Sequence, residues 1–274
     1  MGSNGTQTSA LIYGGRTPSV EAVTESWNGT NWTEVADLAT ARNDLAGSGS
    51  GNLDALAFGG ATAGLSPVVC TRTTELWNGT SWSEVADLNT ARAFSFGSAV
   101  AGINDALAYG GATAGPSPIT ATLNTEFWNG TTWSEVADLQ DNMIKTGGTG
   151  CSTNAAVMVG NPTVNDAETN VWDGSTWTEV NDHITKRSCT SMSGTVNAAL
   201  LAPGVAHGGG GSPTTEEWNG TNWSTSTNAS LSYGQYDAQM IGTQNDTIKG
   251  VGFPQNANAA HYDGTSWASI NAYN

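Results

Sequence analysis

One six-residue motif, repeated six times, constrains this chain more than any other feature. Trp27-Asn-Gly-Thr-Asn-Trp32 recurs as Trp77-Asn-Gly-Thr-Ser-Trp82, Trp128-Asn-Gly-Thr-Thr-Trp133, Trp172-Asp-Gly-Ser-Thr-Trp177, Trp218-Asn-Gly-Thr-Asn-Trp223 and Tyr262-Asp-Gly-Thr-Ser-Trp267, with copies 44 to 51 residues apart. All 11 Trp residues lie in these copies, so tryptophan serves the repeat and not one special site. A self-similar period of about 40–50 residues marks an architecture in which each unit must bury its apolar face against its neighbours.

Around each motif a longer unit can be followed. The second copy reads Leu45-Ala-Gly-Ser-Gly, then Ala55-Leu-Ala-Phe-Gly-Gly60, a loop carrying Pro67, Thr74-Glu-Leu-Trp77 and Trp82-Ser-Glu-Val-Ala-Asp-Leu88. Four short strands per unit fit, with turn signals every ~8–12 residues. Pro18, Pro67, Pro116, Pro118, Pro162, Pro213 and Pro254 fall in the loop after the second strand, where no ladder needs an N–H, and Pro203 alone breaks that rule. Asn-Gly and Asp-Gly supply the positive φ of a two-residue type I′ turn. That turn pairs Trp27 with Thr30 and Glu25 with Trp32, and sets the two indoles as diagonal neighbours on one face. Such aromatic ledges must stack sheet on sheet, and a closed ring leaves no apolar end. The expectation is all-β: one six-bladed propeller of four-stranded antiparallel blades spanning residues 1–274.

Composition narrows the functional classes. Only 12% of residues are Asp, Glu, Lys or Arg, against ~25% in ordinary soluble domains, so long charged helices are not expected. With 8 Lys+Arg against 24 Asp+Glu the net charge is -16, which disfavours nucleic acid and anionic membranes as partners. No apolar run approaches the ~20 residues of a membrane helix, and the opening MGSNGTQTSALIYGG lacks the regions of a secretory leader. Cys70, Cys151 and Cys189 are odd in number and irregularly spaced, so they read as small partly buried thiols.

The small-residue strand, Ala106-Leu-Ala-Tyr-Gly-Gly111, the aromatic pair Tyr262 and Trp267, and the Leu-x-Thr-Ala-Arg endings at Arg42 and Arg92 resemble the kelch repeat. The resemblance covers nearly the whole chain and implies the propeller fold; it is almost silent on function, since kelch propellers include binding scaffolds, actin partners and a few enzymes. The double glycine is kept at Gly14-Gly15, Gly59-Gly60 and Gly110-Gly111, then decays to Gly160-Asn161, Ala202-Pro203 and Gly252-Phe253. The chain reads as entering at the second strand of unit one. Blade one is therefore expected to lack its innermost strand, with Gly2 to Thr8 as an imperfect patch or the open edge left to a neighbouring copy.

Candidate sites sit on the face that carries the loops after strands two and four. The longest loops, Ala61 to Thr73 and Ala112 to Thr125, are small, polar and nearly duplicate, which nominates Thr62, Leu65, Ser66, Thr113 and Ser117, with Arg42 and Arg92, as a binding face. Glu25, Glu75, Glu126 and Glu216 occupy one repeat position, replaced by Asn170 and Ala260. They read as hydrogen-bonding cross-strand partners of the Trp indoles, with pairing to Arg42 and Arg92 as the alternative. Asp37, Asp87, Asp138 and Asp182 read as caps of the following turn, with calcium binding as the sharper alternative. His183, His207 and His261 fall at non-equivalent positions, so no catalytic metal is expected, and no other cofactor. Gly208-Gly-Gly-Gly211 precedes Ser-Pro and is no phosphate loop. Sequons such as Asn28, Asn78, Asn129 and Asn219 follow from the turn sequence.

The functional expectation is a non-enzymatic binding or structural module presenting loops to a protein or glycan. The Asn-Gly-Thr-x-Trp units also resemble kelch-like proteins of marine bacteriophages. That resemblance implies a virion appendage or decoration protein, with other virion proteins or host-surface glycans as partners and a virion or extracellular location. The alternatives are a carbohydrate-active enzyme, with His183, Lys186 and Arg187 as its best candidates, and a protein-interaction adaptor.

Overall fold

The computed structural model describes residues 1–16, 19–63, 68–97, 102–114, 120–141, 147–152, 155–161, 166–202, 204–206, 211–226, 231, 238–250 and 259–270. The chain forms two compact units, Met1–Ile144 and Lys145–Asn274. Among the described residues there is no helix long and apolar enough to cross a membrane.

Each unit holds three four-stranded antiparallel sheets. In the first unit, sheet one runs through Gly2–Thr6, Ser9–Arg16, Val20–Trp27 and Trp32–Val35. Sheet two takes Ala46–Gly51, Asp54–Phe58, Thr74–Trp77 and Trp82–Glu84. Sheet three takes Phe96–Gly97, Ala106–Tyr109, Thr125–Trp128 and Trp133–Glu135. In the second unit, sheet four takes Gly147–Ser152, Ala155–Asn161, Asp166–Trp172 and Trp177–Val180. Sheet five takes Met192–Thr195, Ala198–Leu201, Glu216–Trp218 and Trp223–Thr225. Sheet six takes Met240–Thr243, Asp246–Lys249, Ala259–Tyr262 and Trp267–Ile270. Strands within every sheet follow chain order.

Two expectations are corrected. Blade one does not lack its first strand: Gly2–Thr6 pairs with Ser9–Arg16 from Gly2 opposite Tyr13 to Thr6 opposite Ser9. Its polar, glycine-rich sequence hid it, yet first strands are small because they pack sheet against sheet; a Cβ on Gly47 would meet the Tyr13 hydroxyl. Asn4 makes the contact specific, donating its Nδ2 to Gly51 O at 2.8 Å and Asp54 O at 3.1 Å in sheet two. The gap on which self-association through blade one was premised is absent.

The hairpin is also longer than a two-residue turn. Trp27 pairs directly with Trp32 and Glu25 with Glu34, leaving a four-residue loop. The same Trp-to-Trp register holds in sheets two to five, and Tyr262 faces Trp267 in sheet six. Only the glycine takes positive φ, between 87° and 97° in the six copies. The residue before it does the rest. Asn28, Asn78, Asn129, Asp173, Asn219 and Asp263 each accept two backbone N–H bonds from two and three residues ahead, at 2.8–3.0 Å. A side-chain oxygen that closes the loop removes the need for a second positive φ. The paired rings lie 5.2–5.5 Å apart.

The two rings of each pair have different work. The first indole stays in its own sheet and donates to the turn after strand one: Trp77 Nε1 to Asn52 O at 3.0 Å, Trp128 to Ile103 O and Trp218 to Val196 O at 2.8 Å. The second reaches the preceding sheet and donates to a threonine on its third strand or immediately before it: Trp82 to Thr24, Trp133 to Thr74, Trp223 to Thr169 and Trp267 to Thr215, at 2.9–3.1 Å. It also packs on the preceding sheet's second strand, Trp82 edge-on to Tyr13 at 5.0 Å and Trp133 edge-on to Phe58 at 4.9 Å. Indole N–H groups buried in an apolar seam need such acceptors.

Candidate functional site

The loops after the second strands begin as small ladders. Both glycines of each pair in the first unit have positive φ, which only glycine adopts freely, and a Cβ on Gly59 would lie 2.8 Å from Arg92 O. The chain then pairs again. Ala61 bridges Asn43 on one side and Cys70 on the other, and Ala112 bridges Ala93 and pairs with Ala121. Beside sheet five, in a small three-stranded sheet of their own, Val205 and Ala206 pair with Ser188 and Arg187, while Gly204 and Val205 pair with Ser212 and Gly211. These loops are hairpins rooted on the segment that follows strand four. Thr62 donates its N–H to Val69 O at 3.0 Å, and Thr113 Oγ1 donates to Thr120 O at 3.3 Å, so both threonines serve the roots. Leu65, Ser66 and Ser117 lie outside the described residues, as do Pro67, Pro116, Pro118 and His207.

Arg42 and Arg92 are not on the exposed loop face; both are 0% exposed. Arg42 Nη2 lies 3.2 Å from Glu75 Oε1, and Arg92 Nη2 lies 2.5 Å from Glu126 Oε1. Arg187 makes the same pair with Glu216 at 3.0 Å. Each pair joins two sheets, with the arginine following one sheet and the glutamate on the third strand of the next. The carboxylate then clamps the turn before its arginine: Glu75 accepts from Ala39 N at 2.7 Å and Thr40 N at 3.4 Å, Glu126 from Asn89 N at 2.6 Å and Thr90 N at 3.2 Å, Glu216 from Ile184 N at 2.7 Å and Thr185 N at 3.0 Å. The guanidiniums spend remaining donors on carbonyls, Arg42 on Thr73 and Ala57, Arg92 on Asn124 and Gly110, Arg187 on Thr214 and Leu201. Burial pulls all three guanidiniums below their ordinary value, and the glutamate opposite pushes each back up. Glu75, Glu126 and Glu216 therefore pair with arginine and backbone, and not with the Trp indoles of their sheets, whose acceptors are threonines and carbonyls.

The recurrent aspartates tie backwards instead of capping the next turn. Asp37, Asp87 and Asp138 accept from Thr24 N, Thr74 N and Thr125 N at 3.3–3.4 Å, closing the end of strand four onto strand three.

The three residues nominated for chemistry separate. Arg187 is held by Glu216, Lys186 is exposed, and His183 is buried at 2% exposure. Two further features escaped sequence reasoning, a buried lysine and the pairing of His261 with Asp246. Lys249 is 1% exposed on the second strand of sheet six, donates to Gly250 O at 2.9 Å, and is pulled by burial to about 8. His261 Nε2 sits 2.6 Å from Asp246 Oδ1, both about a third exposed. Among the described residues no group of three or more His, Cys, Asp or Glu is placed to hold a metal ion.

No family model matches the chain, and no curated protein matches it. Among solved structures, that of YjhT is similar with a TM-score of 0.79 at 10% identity, covering 98% of this chain and 96% of that one. At such identity the likeness concerns fold. With the recurring four-stranded antiparallel sheets, it makes the chain a β-propeller-like all-β protein.

Proposed function

We propose that the chain is a non-enzymatic binding module, one six-bladed kelch-type propeller whose loop hairpins meet a protein or glycan partner. One observation carries this reading: the recurrent ionic residues Arg42, Arg92 and Arg187 with Glu75, Glu126 and Glu216 are wholly buried between sheets. Residues spent on joining sheets are unavailable for acid–base work, and the variation left to the chain lies in its loops. The six sheets of uniform strand order support the blade count.

The resemblance of the Asn-Gly-Thr-x-Trp units to kelch-like proteins of marine bacteriophages supports a place on a virion, as an appendage or decoration protein contacting a host surface. A net charge of -16 suits a partner with basic or neutral polar groups. The test replaces residues 62–69 and 113–120 by Gly-Ser linkers and measures retention of host-envelope glycans and proteins by the immobilised chain, beside mass spectrometry of purified particles. Retention by the native chain, lost on loop replacement at unchanged Tm, is the expected result. Equal retention by both chains, or absence from particles, overturns the loop or virion part respectively.

A further inference from the structure

Inside the second unit one residue departs from the repeat at a junction between sheets. Leu38, Leu88, Leu139 and Leu231 are buried, and each donates its backbone N–H to a carbonyl in or just before strand three, those of Ala22, Arg72, Leu123 and Pro213. In sheet four the same bond is made by His183, to Ala167 O at 2.9 Å. Its ring stands edge-on to Trp223 of sheet five, with centroids 6.4 Å apart and planes at 88°. Neither Nδ1 nor Nε2 has a hydrogen-bond partner on any other described residue.

The charged groups facing this ring are Arg187, Glu216 and Lys186. Glu216 already receives Arg187 and the N–H groups of Ile184 and Thr185. An added proton would place a second cation beside Arg187, with the one carboxylate facing it, Glu216, already engaged, which burial makes costly. A neutral imidazole fills the leucine position as an aromatic ring against Trp223 at little electrostatic cost.

We propose that His183 makes the junction between sheets four and five an acid-sensitive joint, closed while the ring is neutral and opened when solvent protonates it. The step is a proton transfer from solvent to an imidazole nitrogen; no other bond changes. The leucine-filled junctions of the first unit stay shut over the same range.

The direction follows from linkage. Burial first, and the Arg187 charge second, hold the closed-state histidine at about 4, whereas an exposed one titrates near ~6.5. Between these values the open joint binds more protons, so opening rises as pH falls. At pH 5 the opening constant is expected to exceed its neutral value by roughly 30-fold.

The experiment is amide hydrogen exchange on the intact chain at pH 7.5 and 5, corrected for intrinsic rates. Ile184 and Thr185, bonded to Glu216, report the joint. Ala39 and Thr40, bonded in the same way to Glu75 beneath Leu38, are the internal control for carboxylate titration. Loss of protection confined to Ile184 and Thr185, and flattened in His183→Leu, is expected. Equal loss at both junctions of the native chain, or persistence in His183→Leu, overturns the proposal, and the first comparison needs no variant to fold.

Discussion

The junction between sheets two and three and the junction between sheets five and six share a backbone plan and hold opposite chemistry. At the first, Arg92 and Glu126 form a buried ion pair that also clamps Asn89 and Thr90. At the second, Ala260 stands where the glutamate would be, packed with Leu200, Ala202, Leu231, Met240 and Tyr262. The sequence has Gln235 at the position of the arginine. The indole bond survives in both, Trp133 to Thr74 and Trp267 to Thr215. Asn170 and Met143 show the same joint loss elsewhere in the repeat. In both of these repeats the glutamate and the arginine are replaced together, as expected if a lone buried charge costs far more than the pair contributes. The pair sets which turn meets which sheet; apolar packing with the indole bond suffices to hold the seam.

The largest expected effect tests that asymmetry. Glu126→Ala strands Arg92 without its carboxylate and should cost about 3–5 kcal/mol in urea unfolding, whereas Ala260→Ser at the equivalent place in sheet six should cost under about 1 kcal/mol. Similar losses at the two sites would erase the contrast.

Lys249 sharpens it from the other side, because sheet six carries a buried cation directly across from Ala260. Lys249→Leu, the residue sheet five has as Leu201, should gain on the order of 2–3 kcal/mol at pH 7. The folded value near 8 lies below the ordinary lysine value, so the unfolded chain binds more protons between the two. Native stability should therefore rise with pH above about 8 and the advantage of leucine shrink, measured by denaturation from pH 7 to 10.5. A gain independent of pH would separate it from the lysine charge.

Removing the bond both junctions share should matter less than breaking an ion pair. Thr74→Val deprives the Trp133 indole of its acceptor and should cost about 1–2 kcal/mol, and Thr215→Val should cost the same beneath Trp267. The smallest effect belongs to the turns. There the N–H of Thr176, the Ser175 hydroxyl and the N–H of Ser175 hold Asp173 at about 2. Asn78→Asp should change stability by less than about 0.5 kcal/mol at neutral pH, with any gain fading as the pH falls below the ordinary aspartate range towards 2.

The repeat was legible because its signals are local. Trp-Asn-Gly-Thr-x-Trp located the hairpins, and the alternation around it located the third and fourth strands. Reasoning along one sheet erred where the physics runs between sheets. Cross-strand logic assigned Glu75 to an indole of its own sheet, but its partner Arg42 follows the previous one. Arg187 was readable as a staple, since His183-Ile-Thr-Lys-Arg187 keeps the spacing of Leu38-Ala-Thr-Ala-Arg42 and Glu216 waits in the next unit. The histidine in place of leucine concealed it. The first strand of sheet one was concealed by its composition, though Gly5 repeats as Gly49, Gly194 and Gly242, all at positive φ beside the second strand.

A double-mutant cycle on Arg92 and Glu126 tests the central claim most directly, with Arg92→Met and Glu126→Asn chosen because the sequence carries Met143 and Asn170 at the corresponding repeat positions. The junction chemistry described here predicts that the double variant is more stable than either single one, with a coupling of about 2–3 kcal/mol. Losses that add within about 0.5 kcal/mol would show that the two residues act independently and would contradict the pairing of sheets through this staple.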